Sequence, residues 1–254
     1  MFPEFFEQYF ALHQDLLWLL TLCLDLGLTI LMYRIFGREG LLACIVLAIL
    51  LANLQGPKLT MIFGFQTTLG VIFYSGIFFA TDLLSERWGQ KEANKAVMLG
   101  FFVSLVVVLM LSIALLFEPS TQESTKIFSN DIHEAFKTII NFTPRFVFGS
   151  LLAYLISQSL DVYIFHKVKE FTKGKYLWLR NNVSTMLSQI VDTLIYSLVV
   201  WWGVVDLQTA LALGAVKYVF KLGIALIDTP FIYWACSWKN GPGANELARK
   251  SMTV

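Results

Sequence analysis

Seven long apolar segments occupy most of this chain, and they constrain its fold more than any other feature. A helix needs about 20 mostly apolar residues to cross a hydrocarbon core about 30 Å thick. The segments are Leu16–Tyr33, Leu41–Leu54, Thr67–Leu84, Ala96–Phe117, Phe146–Phe165, Val183–Trp202 and Leu211–Trp238. They predict an all-α polytopic bundle of about seven transmembrane helices, in one integral membrane domain over residues 1–254.

The composition agrees with a chain that exposes few residues to water. Hydrophobic residues make up 57% and charged residues 15%, whereas soluble domains average about 25% charged residues. The formal net charge of +1 gives no reason to expect nucleic acid as a partner. The second segment is short for a bilayer, so the stretch after it, Gln55–Phe65, is expected to be a loop or a broken helix tip.

Lysine and arginine residues alternate between the connections. Those that follow the first, third, fifth and seventh segments contain 13 basic residues, and those on the other side contain 4. Cytoplasmic connections carry the excess of basic residues. The N-terminus is therefore predicted outside and the C-terminus in the cytoplasm, in a multi-pass protein of the cytoplasmic (inner) membrane.

Seven ionisable residues fall inside the apolar segments, where such groups usually pair or line a pathway. They are Asp25, Asp82, Asp161, Asp192, Lys217, Lys221 and Asp228. At a rise of about 1.5 Å per residue, Asp192 lies about 13 Å from one end of its helix and Lys221 about 15 Å from the opposite end of the next. We predict that Asp192 and Lys221 meet at mid-depth, around a hollow the size of a nucleobase. The alternative is an ion pair that only orients two helices.

The other intramembrane carboxylates divide by position. Asp82 and Asp161 lie near predicted cytoplasmic ends, where solvation of a helix end and a gating role are both open. Asp228 shares a helix face with Lys221 at a spacing of seven residues and is also a candidate for gating or coupling. Asp25 is isolated, which favours a structural hydrogen bond.

Catalytic and cofactor motifs are missing from the sequence. It contains no phosphate-binding GxxxxGK, no HExxH and no GxSxG, so neither an enzyme nor a cofactor or metal site is expected. Polar groups that converge at mid-depth are typical of small secondary carriers. The expected partners are a small-molecule substrate and the lipid bilayer, and homo-oligomerisation stays open.

Four segments, in order, resemble the queuosine precursor transporter family. They are "NLQGPKLTMIFGFQTTLGVIFYSGIFFATDLLSERWGQKEA", "AYLISQSLDVYIFHKVKE", "VSTMLSQIVDTLIYSLVVWW" and "KYVFKLGIALIDTPFIYW". The resemblance covers roughly residues 50–235. It implies a six-helix core, to which the first segment is an N-terminal addition, and import of 7-cyano-7-deazaguanine, 7-aminomethyl-7-deazaguanine or queuine for tRNA queuosine modification.

The family pattern also implies a set of site residues. For substrate binding it falls on Asn53, Gln66, Thr67, Thr68, Gln158, Asp161, Ser184, Gln189, Asp192 and Lys221, and the pattern also includes Thr185 and Asp82. A carboxylate can accept the two adjacent donors of a deazaguanine edge, so Asp192 or Asp161 is expected to read that edge. Two other functions remain open: a substrate-binding subunit that needs a separate ATP-hydrolysing module, and a membrane scaffold.

Overall fold

The structure of the chain is a computed structural model. It describes residues 3–56, 58–140, 144–201 and 205–238, with side chains for all of these except 144–147 and 201. Its helices are α1 (Glu4–Leu12), α2 (Gln14–Gln55), α3 (Val71–Trp88), α4 (Gln90–Ala114), α5 (Lys126–Ile140), α6 (Pro144–Phe171), α7 (Leu177–Tyr196) and α8 (Leu207–Cys236). A π-helical turn, Ser197–Trp201, extends α7. The C-terminus, predicted in the cytoplasm, and Trp202, the predicted end of the sixth segment, lie outside the described residues.

Five helices of the described part are long and apolar enough to cross a membrane: α2, α4, α6, α7 and α8. They confirm an all-α, multi-pass membrane bundle. The predicted count of seven stays a prediction, because two of the predicted segments lie within α2 and α3 carries three charged residues in its 18 positions. Some helices also extend past the predicted apolar segments, as α4 does at Gln90 and α6 at Phe171, since charged residues can continue a helix into water.

Helix α2 reverses direction near its middle. Gly37 has φ 60° and ψ −128°, and the Cβ position of Gly40 lies against the carbonyl oxygen of Met32. Near the start of α2, Asp15 accepts a 2.6 Å hydrogen bond from the backbone N–H of Phe63. A straight α2 would be about 63 Å long, far beyond the reach of the short connection to Phe63. The predicted segments Leu16–Tyr33 and Leu41–Leu54 therefore lie on two antiparallel arms.

The segment after α2 was expected to be a loop or a broken helix tip, and most of it is instead a β-hairpin. Strands β1 (Leu59–Ile62) and β2 (Phe65–Thr68) pair antiparallel. The two turn residues, Phe63 and Gly64, have φ values of 50° and 78°, which suits a tight hairpin turn. The third predicted segment thus begins too early at Thr67, because that residue pairs within the hairpin and α3 starts at Val71.

Helix α3 runs through the centre of the bundle, packed against α2, α4, α6 and α8. Fifteen of its 18 residues are buried, so it exposes little surface to lipid. This position explains how α3 can hold Asp82, Glu86 and Arg87 within a membrane protein. The charges face neighbouring helices, where partners replace water.

Ion pairs join the helix ends on one side of the bundle. Glu86, at the end of α3, pairs with Arg180 at 2.8 Å and with Lys169 at 2.9 Å. Arg38, just after the reversal of α2, pairs with Glu92 at the start of α4 at 3.2 Å. We call this side the basic end and the opposite side, which carries the β-hairpin, the hairpin end. Connections that the sequence predicts to share one side of the membrane thus lie together.

Replacing Gly37 with alanine is expected to destabilise the protein by about 1–3 kcal/mol, because side chains rarely adopt its backbone conformation. Gly27→Ala is the matched control in the same helix: a Cβ there meets no atom within 4 Å, and alanine favours helix by up to about 1 kcal/mol. Thermal unfolding of the purified variants measures both effects. Equal melting temperatures for the two variants would contradict a reversal at Gly37.

Candidate functional site

One face of α7 carries a buried polar stripe. Its members recur at helical spacings of three and four residues, which places them on one side of the helix. They are Asn181, Ser184, Thr185, Ser188, Gln189 and Asp192, all buried. The stripe faces α6 and α8, and it meets carboxylates from three other helices at successive depths.

Asp192 forms the first polar cluster, with Lys221 near the middle of α8. Its carboxylate pairs with the ammonium group of Lys221 on α8, as the sequence predicts. The hydroxyl of Tyr74 on α3 donates to Asp192 Oδ1 at 2.7 Å, and that of Ser157 on α6 donates to the same oxygen at 3.3 Å. Both charged side chains are almost wholly buried, at 2% and 1% exposure. Four helices thus converge on one carboxylate.

Aromatic rings cover the cations of this cluster. Lys221 Nζ lies 4.4 Å from the centre of the Tyr74 ring, and Lys217 Nζ lies 3.5 Å from that of Tyr196. Cations over aromatic faces gain about 0.5–2 kcal/mol. Sequence reasoning missed Tyr74 and Tyr196 as site residues. For Tyr74 a signal existed: it lies eight residues before Asp82, on the same face of α3.

A cavity of about 30 Å³ adjoins the ion pair. It has room for one or two water molecules, so this cavity is smaller than the predicted nucleobase-sized hollow. Its polar lining includes Asn53, Thr68, Tyr74, Asp192, Tyr196 and Lys217. A second cavity of about 110 Å³ lies towards the hairpin end, lined by Gln66, Thr67, Thr68, Tyr196 and Lys217 among others. A bicyclic base would require side chains here to move apart.

Asp161 and Asp82 form a second cluster, one helical turn closer to the basic end. Ser188 donates to Asp161 Oδ1 at 3.0 Å, and Thr185 donates to Asp82 Oδ2 at 3.5 Å. The carboxyl groups of Asp82 and Asp161 lie close enough to interact with each other. Asp161 therefore lies with Asp82, a candidate for gating, and lines neither of the two cavities beside Asp192.

Asp228 forms a third cluster with Asn181, which donates to its Oδ1 at 3.0 Å. Among the other predicted binding residues, Ser184 donates to the backbone of Asn181 at 3.2 Å. Gln158 and Gln189 are buried, and each has an amide oxygen without a hydrogen-bond partner among the described residues. Asp25 was expected to form a structural hydrogen bond. Its Oδ2 has no hydrogen-bond partner among the described residues, and its carboxylate lies against Gly76.

Metal ligands are not grouped in the described part of the chain: no three His, Cys, Asp or Glu residues there could together hold a metal ion. The three aspartates of the second and third clusters come from three different helices. The three clusters contain hydrogen-bond acceptors, one buried ion pair and hydroxyl groups that can donate or accept hydrogen bonds.

Comparison with known proteins identifies relatives over most of the chain. The model of the family described as "Putative vitamin uptake transporter" matches residues 68–235. The chain is 39% identical over 220 residues to the "Probable queuosine precursor transporter" of Bacillus subtilis (strain 168), covering 86% of this chain and 93% of the relative. No solved structure matches.

Two more distant relatives carry similar names. The "Probable queuosine precursor transporter" of Haemophilus influenzae is 27% identical over 171 residues, 65% of this chain and 66% of the relative. The "Queuosine precursor transporter" of Escherichia coli (strain K12) is 26% identical over 172 residues, 65% and 71% respectively. These matches confirm the predicted class, a multi-pass membrane transporter and not an enzyme.

Proposed function

Since the chain belongs to the queuosine precursor transporter family, we propose that it imports queuosine precursors across the cytoplasmic membrane for tRNA queuosine modification. The substrates are 7-deazaguanine bases: 7-cyano-7-deazaguanine, 7-aminomethyl-7-deazaguanine or queuine. The observation that carries the proposal is the buried Asp192–Lys221 pair, bonded to Tyr74 and next to a cavity.

The pair has the chemistry that a deazaguanine edge requires. N1–H and the exocyclic amine are adjacent donors, which the Asp192 carboxylate can accept together. The ring carbonyl needs a donor, which Lys221 or the Asn53 amide can supply. Tyr74 and Tyr196 flank the cations, and an aromatic ring can stack on a flat base with about 1–3 kcal/mol of stabilisation. An adenine edge would leave the carboxylate without one of its two donors.

Import follows by alternating access across seven spans, with the N-terminus outside. Both arms of α2 would cross the bilayer, and α3 would cross inside the bundle. The excess of basic residues would then place the basic end in the cytoplasm. The two cavities extend towards the hairpin end, whereas ion pairs around Glu86 close the basic end. In this conformation the substrate site is therefore closer to opening on the outer side of the membrane.

Binding and uptake of 7-cyano-7-deazaguanine by the purified chain test the proposal. We expect saturable binding in detergent, competition by guanine-edge bases but not by adenine, and uptake into liposomes that contain no other protein. Loss of one buried hydrogen bond to a charged group corresponds to about 1.5–3 kcal/mol, or roughly 10- to 100-fold weaker binding of adenine-type bases.

Each contrary result has a distinct meaning. Binding without uptake would favour a substrate-binding subunit that depends on a separate ATP-hydrolysing module. No saturable binding of any deazapurine would contradict the proposed function and favour a scaffold. Equal affinity for guanine-edge and adenine-edge bases would contradict recognition by a carboxylate.

A further inference from the structure

We propose that the buried carboxylates of Asp161, Asp82 and Asp228 form a column that conducts a proton between the substrate site and the basic end, so that a proton gradient drives uptake. The inference rests on the proposed transport function and adds its energy source. It assigns the second and third clusters to a proton and the first cluster to the substrate.

The column is continuous along the helices. Ser157 binds Asp192 and Ser188 binds Asp161. On α6, Ser157 lies one turn, about 6 Å, before Asp161 of the second cluster. On α7, Ser188 lies the same distance before Asp192 of the first cluster. The two serine hydroxyls thus lie between the first and second clusters, and a hydroxyl can accept one proton while it donates another.

Further down, the column reaches the surface of the bundle at the basic end. Asp82 lies one turn before Glu86 on α3, and Glu86 is partly exposed at 18%. Asp228, bonded to Asn181, lies close enough to Asp82 and Asp161 to interact electrostatically with both. A proton that enters with the substrate from the hairpin end would leave through Glu86.

Several buried oxygens of these clusters lack a hydrogen-bond donor. Asp82 Oδ1, Asp161 Oδ2 and Asn181 Oδ1 have no hydrogen-bond partner among the described residues. Asn181 is fully buried and its amide nitrogen binds Asp228, so its unpaired oxygen lies inside the column. Ionised carboxylates only accept hydrogen bonds. The interaction between Asp82 and Asp161 therefore becomes a hydrogen bond only when one of them carries a proton.

Cations nearby are committed to other carboxylates. Lys221 pairs with Asp192, and Lys169 and Arg180 pair with Glu86. No lysine or arginine of the described residues forms an ion pair with Asp82, Asp161 or Asp228. Burial of several carboxylates without a cation is very unfavourable, and protons can neutralise them.

The other titratable and charged groups on the packed helices complete the surroundings. They include Asp25, Tyr33 and Cys44 on α2; Tyr74, Glu86 and Arg87 on α3; Tyr154, His166 and Lys169 on α6; Arg180, Asp192 and Tyr196 on α7; and Lys217, Tyr218, Lys221 and Cys236 on α8. Helix α4 turns only Ala93, Ala96, Val97, Gly100 and Ser104 inward. None of these groups supplies an uncommitted cation to the three aspartates, since Arg87 donates to carbonyl oxygens of α8 and its flank and Lys217 lies over the Tyr196 ring.

Liposomes that contain only the full chain test the column, with radiolabelled 7-cyano-7-deazaguanine as the probe. We expect an inward proton gradient to drive accumulation above equilibration, a protonophore to abolish it and a sodium gradient to have no effect. A pH-sensitive dye inside the liposomes should report proton entry only when the probe is present. Accumulation that follows sodium, or that ignores the proton gradient, would overturn the proposal.

Asp82→Asn links the effect to the column. We expect this variant to lose gradient-driven accumulation but to keep probe binding in detergent and exchange of labelled for unlabelled probe. Asp82→Glu, which keeps a titratable group, should retain accumulation, and Asp228→Asn repeats the test should Asp82→Asn not fold. Wild-type accumulation by both asparagine variants would overturn the column. Failure of the wild-type chain to bind the probe would contradict the proposed function instead.

Discussion

Asp192→Asn is expected to abolish uptake and to weaken binding of 7-cyano-7-deazaguanine by roughly 100-fold or more. Asp192 is the acceptor for Lys221, Tyr74 and Ser157, and in the proposed complex it accepts two donors from the base. Hydrogen bonds to a charged group contribute about 1.5–3 kcal/mol each, and about 1.4 kcal/mol corresponds to tenfold in affinity. Equilibrium binding in detergent and uptake into liposomes measure the two effects.

The same substitution also leaves Lys221 buried without its anion, which can destabilise a protein by about 3–5 kcal/mol. A double variant, Asp192→Asn with Lys221→Gln, separates stability from binding. Two neutral amides can bond to each other, so we expect much of the thermal stability to return while binding stays lost. If binding returns together with stability, the pair only orients α7 and α8.

Asp206→Asn provides the matched control. Asp206 is an exposed aspartate that caps α8, where it accepts a 2.8 Å hydrogen bond from the backbone N–H of Thr209. Asparagine and aspartate cap helices about equally well, so binding, uptake and stability should all stay near the wild-type values. Full uptake by Asp192→Asn, with expression like that of the control, would contradict a role for Asp192 in substrate binding.

Much of the fold could be predicted because lipid imposes simple requirements on the sequence. Apolar length identified the helices, and the alternation of basic residues placed Arg38, Lys169 and Arg180 on one side, where the ion pairs of the basic end now lie. The reversal of α2 at Gly37 and the β-hairpin were less predictable. Both depend on backbone angles at single residues, which hydropathy averaged over many residues does not contain.

The sequence predicted how far along their helices the site residues lie, but not which faces of the helices meet. Counting residues along α7 and α8 brought Asp192 and Lys221 to the same level, and the burial of opposite charges favoured a pair. Depth alone also placed Asp161 and Asp82 near the basic end. The family resemblance grouped Asp161 with Asp192, but the structure separates them by a helical turn. The spacing of eight residues between Tyr74 and Asp82 indicated a shared face of α3, but it did not show that this face meets α7.

Glu86→Gln is expected to lower the free energy of unfolding by about 3 kcal/mol. The substitution leaves Arg180, whose side chain is 3% exposed, without the carboxylate that it binds at 2.8 Å. An unpartnered buried cation is strongly destabilising, by about 3–5 kcal/mol, and the partial exposure of Glu86 and Lys169 reduces the effect. Unfolding in mixed micelles with increasing dodecyl sulfate gives the free energy.

Glu170→Gln is the matched control, since it removes one glutamate from the same end of the bundle. Its partner Lys167 and Glu170 itself are 57% and 70% exposed, and exposed pairs contribute about 0–1 kcal/mol. We therefore expect a loss of no more than about 1 kcal/mol. Losses of equal size in the two variants would show that net charge at this end, and not the buried network, determines stability.

The Glu86 network should also control access to the basic end if transport proceeds by alternating access. Cys236, at the end of α8, is partly buried close to Arg87 and Glu86 and can report opening there. With Cys23 and Cys44 replaced by serine, Glu86→Gln should increase the rate at which a soluble maleimide labels Cys236, because weaker ion pairs favour the conformation open at this end. Glu170→Gln should label at the background rate. An unchanged rate in Glu86→Gln would mean that the network stabilises the bundle without holding this end closed.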